Sequence, residues 1–422
     1  MSQLFTALTF AAALLRPPIA VNDAQLTEQL DGSAIKIRPS KKAIFSLQWR
    51  VPVVRTGFAR KSIVSFGRPA VSHRYGLVIL GTGDGNIEAR NLDTGEISWV
   101  YKYGIPFEST VTLVDVPLVS LRSSAVATIQ IKNPSDSTIN LASFTDRQLA
   151  VLGSRDGNVL AVNAANGTLI WKTDVGGDVR ASGVVAGTKL ILATATNRIV
   201  ALDIFKGDIL WATGRPPQNT ISIVGHACPL VVDDTIYAGF SDGYVASYAL
   251  KDGNQHWMRS LSLRGEGFLD ADADPIIADG KLFVASYEDG LFALNPSDGQ
   301  TIWQRDIPAI RSIIISGKNI IAGNGNGFVW AFKLKDGELV YRTKLDSGLV
   351  TRMVTRENLL AFAGGDNGLV VLNAQTGRPL QAAAFGARMA NDVIWENDTL
   401  ALISENGYLY TFLRRKTKLI FK

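Results

Sequence analysis

The chain is poor in the residues from which most reactive centres are built. It has a single cysteine, Cys228, so it can form no intramolecular disulfide and holds no paired-cysteine zinc or redox motif. A nucleophilic Cys228 would need a basic partner. His226 stands two residues away, but GHACPLVVDD reads as the approach to an ordinary strand and the thiol as a buried apolar group. The three histidines, His73, His226 and His256, are scattered. No GxSxG, HExxH or phosphate-loop pattern occurs. A net charge of +5 on 422 residues is too weak to imply nucleic acid without a localised basic patch. The C-terminal cluster Arg414, Arg415, Lys416, Lys418 and Lys422 reads as a solvated tail. Long apolar runs are missing too. Leu4 to Leu15 is 12 residues, too short to span a bilayer as a helix. It has the length of the hydrophobic region of a secretory signal, although no Lys or Arg precedes it and Pro18 and Ala20 make a poor cleavage site. Residues 1–20 are therefore expected to be an export signal, complete or clipped at its start, with a mis-started N-terminus as the alternative. The polar stretch 21–42 reads as a tether.

Glycine, in contrast, is abundant at 39 against 4 methionines, which suits a turn-rich β protein. The chain is also self-similar. GTGDGNIEARNLDTGEISW ends at Trp99, GSRDGNVLAVNAANGTLIW at Trp171, ATATNRIVALDIFKGDILW at Trp211, GFSDGYVASYALKDGNQHW at Trp257 and ASYEDGLFALNPSDGQTIW at Trp303. Two further copies end at Tyr341 and Gln381, and an eighth starts as ISENGYLYTF at Ile403. The turn glycines Gly167, Gly207, Gly253, Gly299, Gly337 and Gly377 are spaced by 40, 46, 46, 38 and 40 residues. The step from Gly95 to Gly167 is 72, so residues of about 116–146 read as an insertion in the second repeat.

Asp-Gly and Asn-Gly between apolar stretches signal tight hairpins, with φ > 0 expected at both turn positions. Four short strands per 40 to 46 residues make one propeller blade. The fold expected is all-β: an eight-bladed β-propeller of four-stranded blades occupying residues 43–422 as a single domain. The eighth copy lacks its fourth strand. KKAIFSLQWR, Lys41 to Arg50, has the fourth-strand pattern with Trp49 in the tryptophan position. It is expected to pair into the last blade and close the ring, which removes two open sheet edges. Six of the eight tryptophans (Trp49, Trp99, Trp171, Trp211, Trp257 and Trp303) hold the same place in the repeat. They are expected to fill the gaps between blades rather than to stack on a ligand.

The unit A-x-N/D-x-x-x-G-x-x-x-W, present as Ala89–Asn91–Gly95–Trp99, Ala161–Asn163–Gly167–Trp171, Ala201–Asp203–Gly207–Trp211 and Ala293–Asn295–Gly299–Trp303, resembles the repeat of PQQ-like propellers. Within that superfamily the order of segments resembles the BamB family of the outer-membrane β-barrel assembly machinery. The best local match is DADADPIIADGKLFVASYEDGLFALNPSDGQTIWQRD, Asp270 to Asp306. The resemblance implies a non-catalytic periplasmic scaffold at the inner face of the outer membrane. Its partner would be the POTRA domains of a BamA-like barrel-forming subunit, with unfolded outer-membrane proteins as a further candidate. It implies a monomer within a hetero-complex, and neither cofactor nor nucleic acid. By the same match Asp270 and Asp272 are partner-binding residues. The family's other contact loop corresponds to ISIVGHACP, where Ile221 and Ile223 stand for its two leucines and Val224 replaces its arginine. LSLRGE lies one blade later, at Leu261 to Glu266. Two readings of it stand: a coincidence in a β-rich connector, or Arg264 as the relocated arginine. No lipid-attachment cysteine stands near the N-terminus, a second departure from the family.

The residues themselves bear on the same choice. Counted from Asp270, the sixth and twelfth positions of a calcium loop hold Pro275 and Lys281 instead of Gly and Glu, so no metal site is expected. Three aspartates spaced by two share one face of a strand and repel each other, which suits an exposed rim facing a basic partner. Quinone-dependent dehydrogenases of this repeat class carry an adjacent-cysteine pair, which one cysteine excludes. The alternatives that remain are another envelope binding role and, further off, a quinone-dependent dehydrogenase. Deleting residues 41–50 should lower the melting temperature sharply or cause aggregation. An unchanged melt would remove the ring-closure reading.

Overall fold

The computed structural model of the protein describes residues 43–53, 67–116, 128–129, 139–140, 147–215, 227–262, 271, 273–345, 348–385, 388–389 and 391–415. The self-similar units become eight four-stranded antiparallel sheets, each a meander from an inner to an outer strand. Blade 1 consists of Ala70–Ser72, Leu77–Gly81, Asn86–Asn91 and Ile97–Lys102. In blades 2 to 7 the innermost strands are Thr112–Val116, Val184–Ala186, Leu230–Val232, Ile276–Ala278, Ile310–Ser316 and Val354–Arg356. Their outermost strands are Leu169–Asp174, Ile209–Gly214, Gln255–Ser260, Thr301–Arg305, Leu339–Lys344 and Pro379–Ala383. Blade 8 takes Ile394–Glu396, Thr399–Ile403 and Tyr408–Arg414 from the end of the chain and Phe45–Pro52 from its start. The two termini pair antiparallel from Phe45↔Arg414 to Pro52↔Tyr408, with a bulge between Leu47 and Trp49. The ring is thus closed by an N-terminal strand. Between Val116 and Arg147, blade 2 carries a short extra ladder in which Thr128–Ile129 pairs with Ile139–Asn140.

The core is segmented. Among the described residues it falls into eight apolar clusters, each shared by two neighbouring blades, and together they run once round the ring. One of them joins Trp49, Val51 and Leu409 of blade 8 to Val71, Val78 and Leu80 of blade 1. The second and third strands of each blade are buried on both faces, which is why sequences such as LVILG and NVLAVN read as nearly continuous apolar runs.

The repeat motif has a direct physical account. Ala89 pairs across the ladder with Trp99 of its own blade, and the same register joins Ala161 to Trp171, Ala201 to Trp211 and Ala293 to Trp303. The Asn or Asp two residues on is a turn cap. Asn91 Oδ1 accepts from the N–H groups of Asp93 and Thr94 at 2.9 and 3.0 Å, and Asp203 Oδ1 does the same for Phe205 and Lys206. The glycine has φ of +76° at Gly95 and +75° at Gly207, and its bare Cα receives the aromatic ring of the preceding blade. A Cβ there would lie 2.9 Å from Trp49 at Gly95, 2.4 Å from Trp99 at Gly167 and 2.6 Å from Trp171 at Gly207. The same geometry continues to Gly377, which lies against Tyr341.

Six of the seven rings are also anchored at their polar end. Trp49 Nε1 donates to Leu92 O, Trp99 to Ala164 O, Trp171 to Ile204 O, Trp257 to Pro296 O and Trp303 to Leu334 O, while Tyr341 Oη donates to Ala374 O. In every case the acceptor stands three residues before the glycine. The joint between blades 3 and 4 differs, because Lys189 Nζ takes Leu250 O and Trp211 Nε1 is left without a partner. The expectation that these aromatics fill the inter-blade gaps therefore holds in detail.

One expectation about the turns does not hold. The hairpins between second and third strands have positive φ at a single residue in every blade but the seventh, where Gly365 (φ +61°) and Gly368 (φ +68°) are both left-handed. Gly85 N–H donates to Thr82 O and Thr82 N–H to Asn86 O, and only Gly85 (φ +84°) is left-handed. This is a type I turn followed by a glycine bulge, not the two-residue turn with both residues at φ > 0. The Thr82 hydroxyl fills the remaining position by bonding Asp84 and the Asn86 backbone, which favours the three-residue loop.

The seam between blades 7 and 8 cannot use the aromatic joint. In blade 8 the turn that would present the glycine is replaced by the two chain ends, and the residue in the tryptophan position of blade 7 is Gln381, paired to Val371. Its side chain, 7% exposed, accepts from the N–H groups of Ile44 and Phe45 at 2.8 and 2.9 Å and donates to Phe45 O at 2.8 Å. An amide thus clasps the start of the closing strand where an indole would find no flat surface. Gln381→Leu should leave those three groups unpaired, at about 1–3 kcal/mol for each that stays buried. A denaturant midpoint equal to that of the unmodified protein would show that the seam does not depend on the amide.

Candidate functional site

Because every blade is an antiparallel meander, the connectors between blades and the hairpins between second and third strands emerge on one face. Backbone bonds tie the two sets together: Tyr103 N–H to Gly85 O, Val175 to Gly157, Leu261 to Gly243 and Leu345 to Gly327. Ile221 and Ile223 belong to the connector between Gly214 of blade 3 and Leu230 of blade 4. Arg264, Asp270 and Asp272 belong to the next connector, between Ser260 of blade 4 and Ile276 of blade 5. All five lie outside the described residues. So do residues 1–42, with the expected export signal and tether.

The third aspartate of the DADAD stretch is described, and it is not a free rim charge. Asp274 forms an ion pair with Arg352 and accepts from Cys228 N–H at 2.7 Å, while Ala271 and Ala273 are buried. Asp274 belongs to a set fixed by register. Two residues before the matching position of each innermost strand stand Arg68, Thr110, Ser182, Cys228, Asp274, Ser312, Arg352 and Asp392, one from each blade. Innermost strands touch between blades 8 and 1, 1 and 2, 3 and 4, 5 and 6, and 6 and 7, which sets these eight positions round the mouth of the central channel.

Most of the ring is hydrogen-bonded into a chain. Asp392 Oδ2 lies 3.9 Å from both Arg68 Nε and Arg352 Nε, and its Oδ1 accepts from Arg352 N–H at 3.1 Å. Arg352 continues to Asp274, and Asp274 to Cys228. The Cys228 thiol donates to Ser182 O at 2.8 Å. Ser312 Oγ accepts from Met353 N–H. Burial works against the charge on Arg352, but Asp274 and Asp392 outweigh it and hold the guanidinium above its ordinary value. Arg68 is pushed the other way, by burial first and by the Arg352 charge second. Burial, and next the Asp274 carboxylate, push the Cys228 thiol up to about 11.

Behind the ring lies a cavity of about 340 Å³ with Arg68, Asp274 and Arg352 at its polar side and Leu230, Ile276, Ile314 and Met353 among its apolar walls. Among the described residues no group of three His, Cys, Asp or Glu side chains is placed to hold a metal ion. His73 lies at the surface near Glu396 O, and His256 is exposed on the outer strand of blade 4. Motif reasoning about the sequence did not single out Arg68, Arg352 or Asp392. The signal was positional: each precedes an innermost strand by the same offset, which shows only once the repeats are aligned on their first strands.

The family of the outer membrane protein assembly factor BamB matches residues 128–343, just over half of the chain. Similar curated proteins carry that name. The one from Yersinia pestis is 24% identical over 270 residues, 62% of this chain and 68% of its own length. The one from Legionella pneumophila (strain Paris) is 26% identical over 187 residues, 43% of this chain and 49% of its own. The crystal structure of BamB from Moraxella catarrhalis superposes with a TM-score of 0.67 at 20% identity, covering 88% of this chain and all of that one. The computationally designed Ika8 protein superposes with a TM-score of 0.61 at 14% identity. At such identities a structural likeness speaks for the fold alone.

The buried thiol gives a direct check on the ring. With its ionisation pushed to about 11, Cys228 holds little thiolate at neutral pH. Iodoacetamide at pH 7.5 should modify it at least about a hundredfold more slowly in the native protein than in concentrated urea. Comparable rates in the two states would place the thiol outside the packed ring.

Proposed function

Because the chain belongs to the family of the outer membrane protein assembly factor BamB, we propose that it is a non-catalytic scaffold of outer-membrane β-barrel assembly that docks on the POTRA domains of a BamA-like subunit. The observation that carries the docking site is the order of the connectors. The segments with Ile221 and Ile223 and with Arg264, Asp270 and Asp272 join three consecutive blades and leave from the same face. In this reading Ile221 and Ile223 supply apolar contact, and Asp270 and Asp272 supply charge complementarity to a basic surface. Asp274, committed to Arg352, is not part of the interface. The ring fixes the spacing of the strand ends from which the two segments leave. The chain is a monomer within the hetero-complex and sits in the periplasm at the inner face of the outer membrane. Residues 1–20 direct export, 21–42 form a tether, and 43–422 form one propeller domain with an insertion at about 116–146.

A second surface suits a different partner. The outermost strand of each blade ends its sheet, and several present apolar side chains to solvent: Ile97 is 49% exposed, Leu339 53% and Val340 41%. Such edges can receive an unfolded barrel strand by backbone pairing.

A pull-down from envelope extract should recover a POTRA-containing barrel protein. Asp270→Arg together with Asp272→Arg should abolish recovery while leaving the melting temperature unchanged, and raised salt should weaken it. Undiminished recovery by a folded double variant would overturn the site. Alcohol oxidation on addition of quinone and calcium would overturn the scaffold reading.

A further inference from the structure

We propose that the cavity at the channel mouth is a binding site for a small organic monocarboxylate carried on an apolar stem. The inference does not rest on the docking reading and starts from unequal pairing within the ring. Both carboxylates are already engaged, above all by Arg352. Asp274 meets its guanidinium and Cys228 N–H, and Asp392 meets its backbone N–H and lies near its Nε. Arg68 is left with the weaker share. Its one ion pair is the 3.9 Å contact to Asp392, its side chain is 16% exposed, and Nε is shielded from solvent with no hydrogen-bond partner. A guanidinium whose Nε is shielded and unpaired is costly to leave so, and its planar fork matches a carboxylate.

The remaining features set the class of ligand. Two arginines and two aspartates make the ring neutral, and the Cys228 thiol adds no charge. A monoanion is therefore accommodated, whereas a phosphate dianion would face Asp274 and Asp392 at close range. A cation would meet Arg68. The walls beyond the ring are apolar, through Leu230, Ile276, Ile314 and Met353, so the stem bearing the carboxylate is apolar as well. The volume of about 340 Å³ lies in the range of small-ligand sites and is sufficient for a six-carbon acid. The carboxylate can come from a free aliphatic acid or from the C-terminus of a peptide ending in an apolar residue.

Titration calorimetry on the full chain distinguishes these. Hexanoate should bind saturably, and hexanamide, equal in shape but uncharged, at least about tenfold more weakly. Arg68→Gln should weaken hexanoate by a similar factor while the Cys228 labelling rate stays that of the native ring. Arg68→Lys, which keeps the charge and loses the fork, should fall between. Absence of saturable hexanoate binding, equal binding of acid and amide to the unmodified protein, or full binding by Arg68→Gln would each overturn the proposal. The acid–amide comparison needs no variant, so it decides even if a substitution prevents folding. Displacement of hexanoate by a short peptide with an apolar C-terminal residue, but not by its C-terminal amide, assigns the carboxylate to a polypeptide end. Saturable hexanoate binding that neither peptide displaces assigns it to a free acid.

Discussion

An aromatic ring laid on a bare glycine Cα is the contact on which the rest of this molecule depends. Among the described residues no blade has a core of its own: each apolar cluster is shared, so a blade is stable only between two neighbours. The flat glycine lets the outer strand of one blade approach the turn of the next, and the indole N–H bond fixes the angle of approach. Burying one such ring is worth about 4–6 kcal/mol of transfer free energy. Repeated round the ring, this makes the blades one rigid body even though each is only four short strands.

That rigidity is what makes the connector face usable. Segments far apart in the chain leave it at positions set by strand register alone, and the same register brings one side chain per blade to the channel mouth. In most blades this side chain is polar. Where arginine and aspartate face each other, the low local dielectric strengthens their pairing and makes any shortfall costly. The ring therefore combines a structural seal with an uneven distribution of hydrogen-bond partners, and Arg68 carries the shortfall.

Much of this was legible in the sequence because repetition converts weak local signals into a strong one. The glycine spacing, the terminal tryptophans and the orphan strand at Lys41 to Arg50 together define eight blades and their closure. The turn geometry was less legible. Asp-Gly alone does not distinguish a two-residue turn from a type I turn with a bulge; the Thr82 hydroxyl supports the longer loop in blade 1, yet Phe240 holds the same place in blade 4. Asp274 was misread for a related reason. Spacing showed three aspartates on one face, but its partner Arg352 lies two blades away, where no local pattern points. The Gln381 clasp was visible as a break in the aromatic series, yet its meaning required knowing that the missing turn is where the chain ends meet.

The closing strand also imposes an order in time. Phe45 to Pro52 are synthesised long before the residues of blade 8 that they pair with, and they must wait for some 360 further residues, Pro52 to Arg414, to appear. Bringing the ends together costs about 5 kcal/mol of chain entropy on a logarithmic loop scale, recovered only when Trp49, Val51 and Val53 are buried against blade 1. Until then the first and last blades each present a naked flank. The last blade and its seam are thus completed only when a segment made early in synthesis meets one made late.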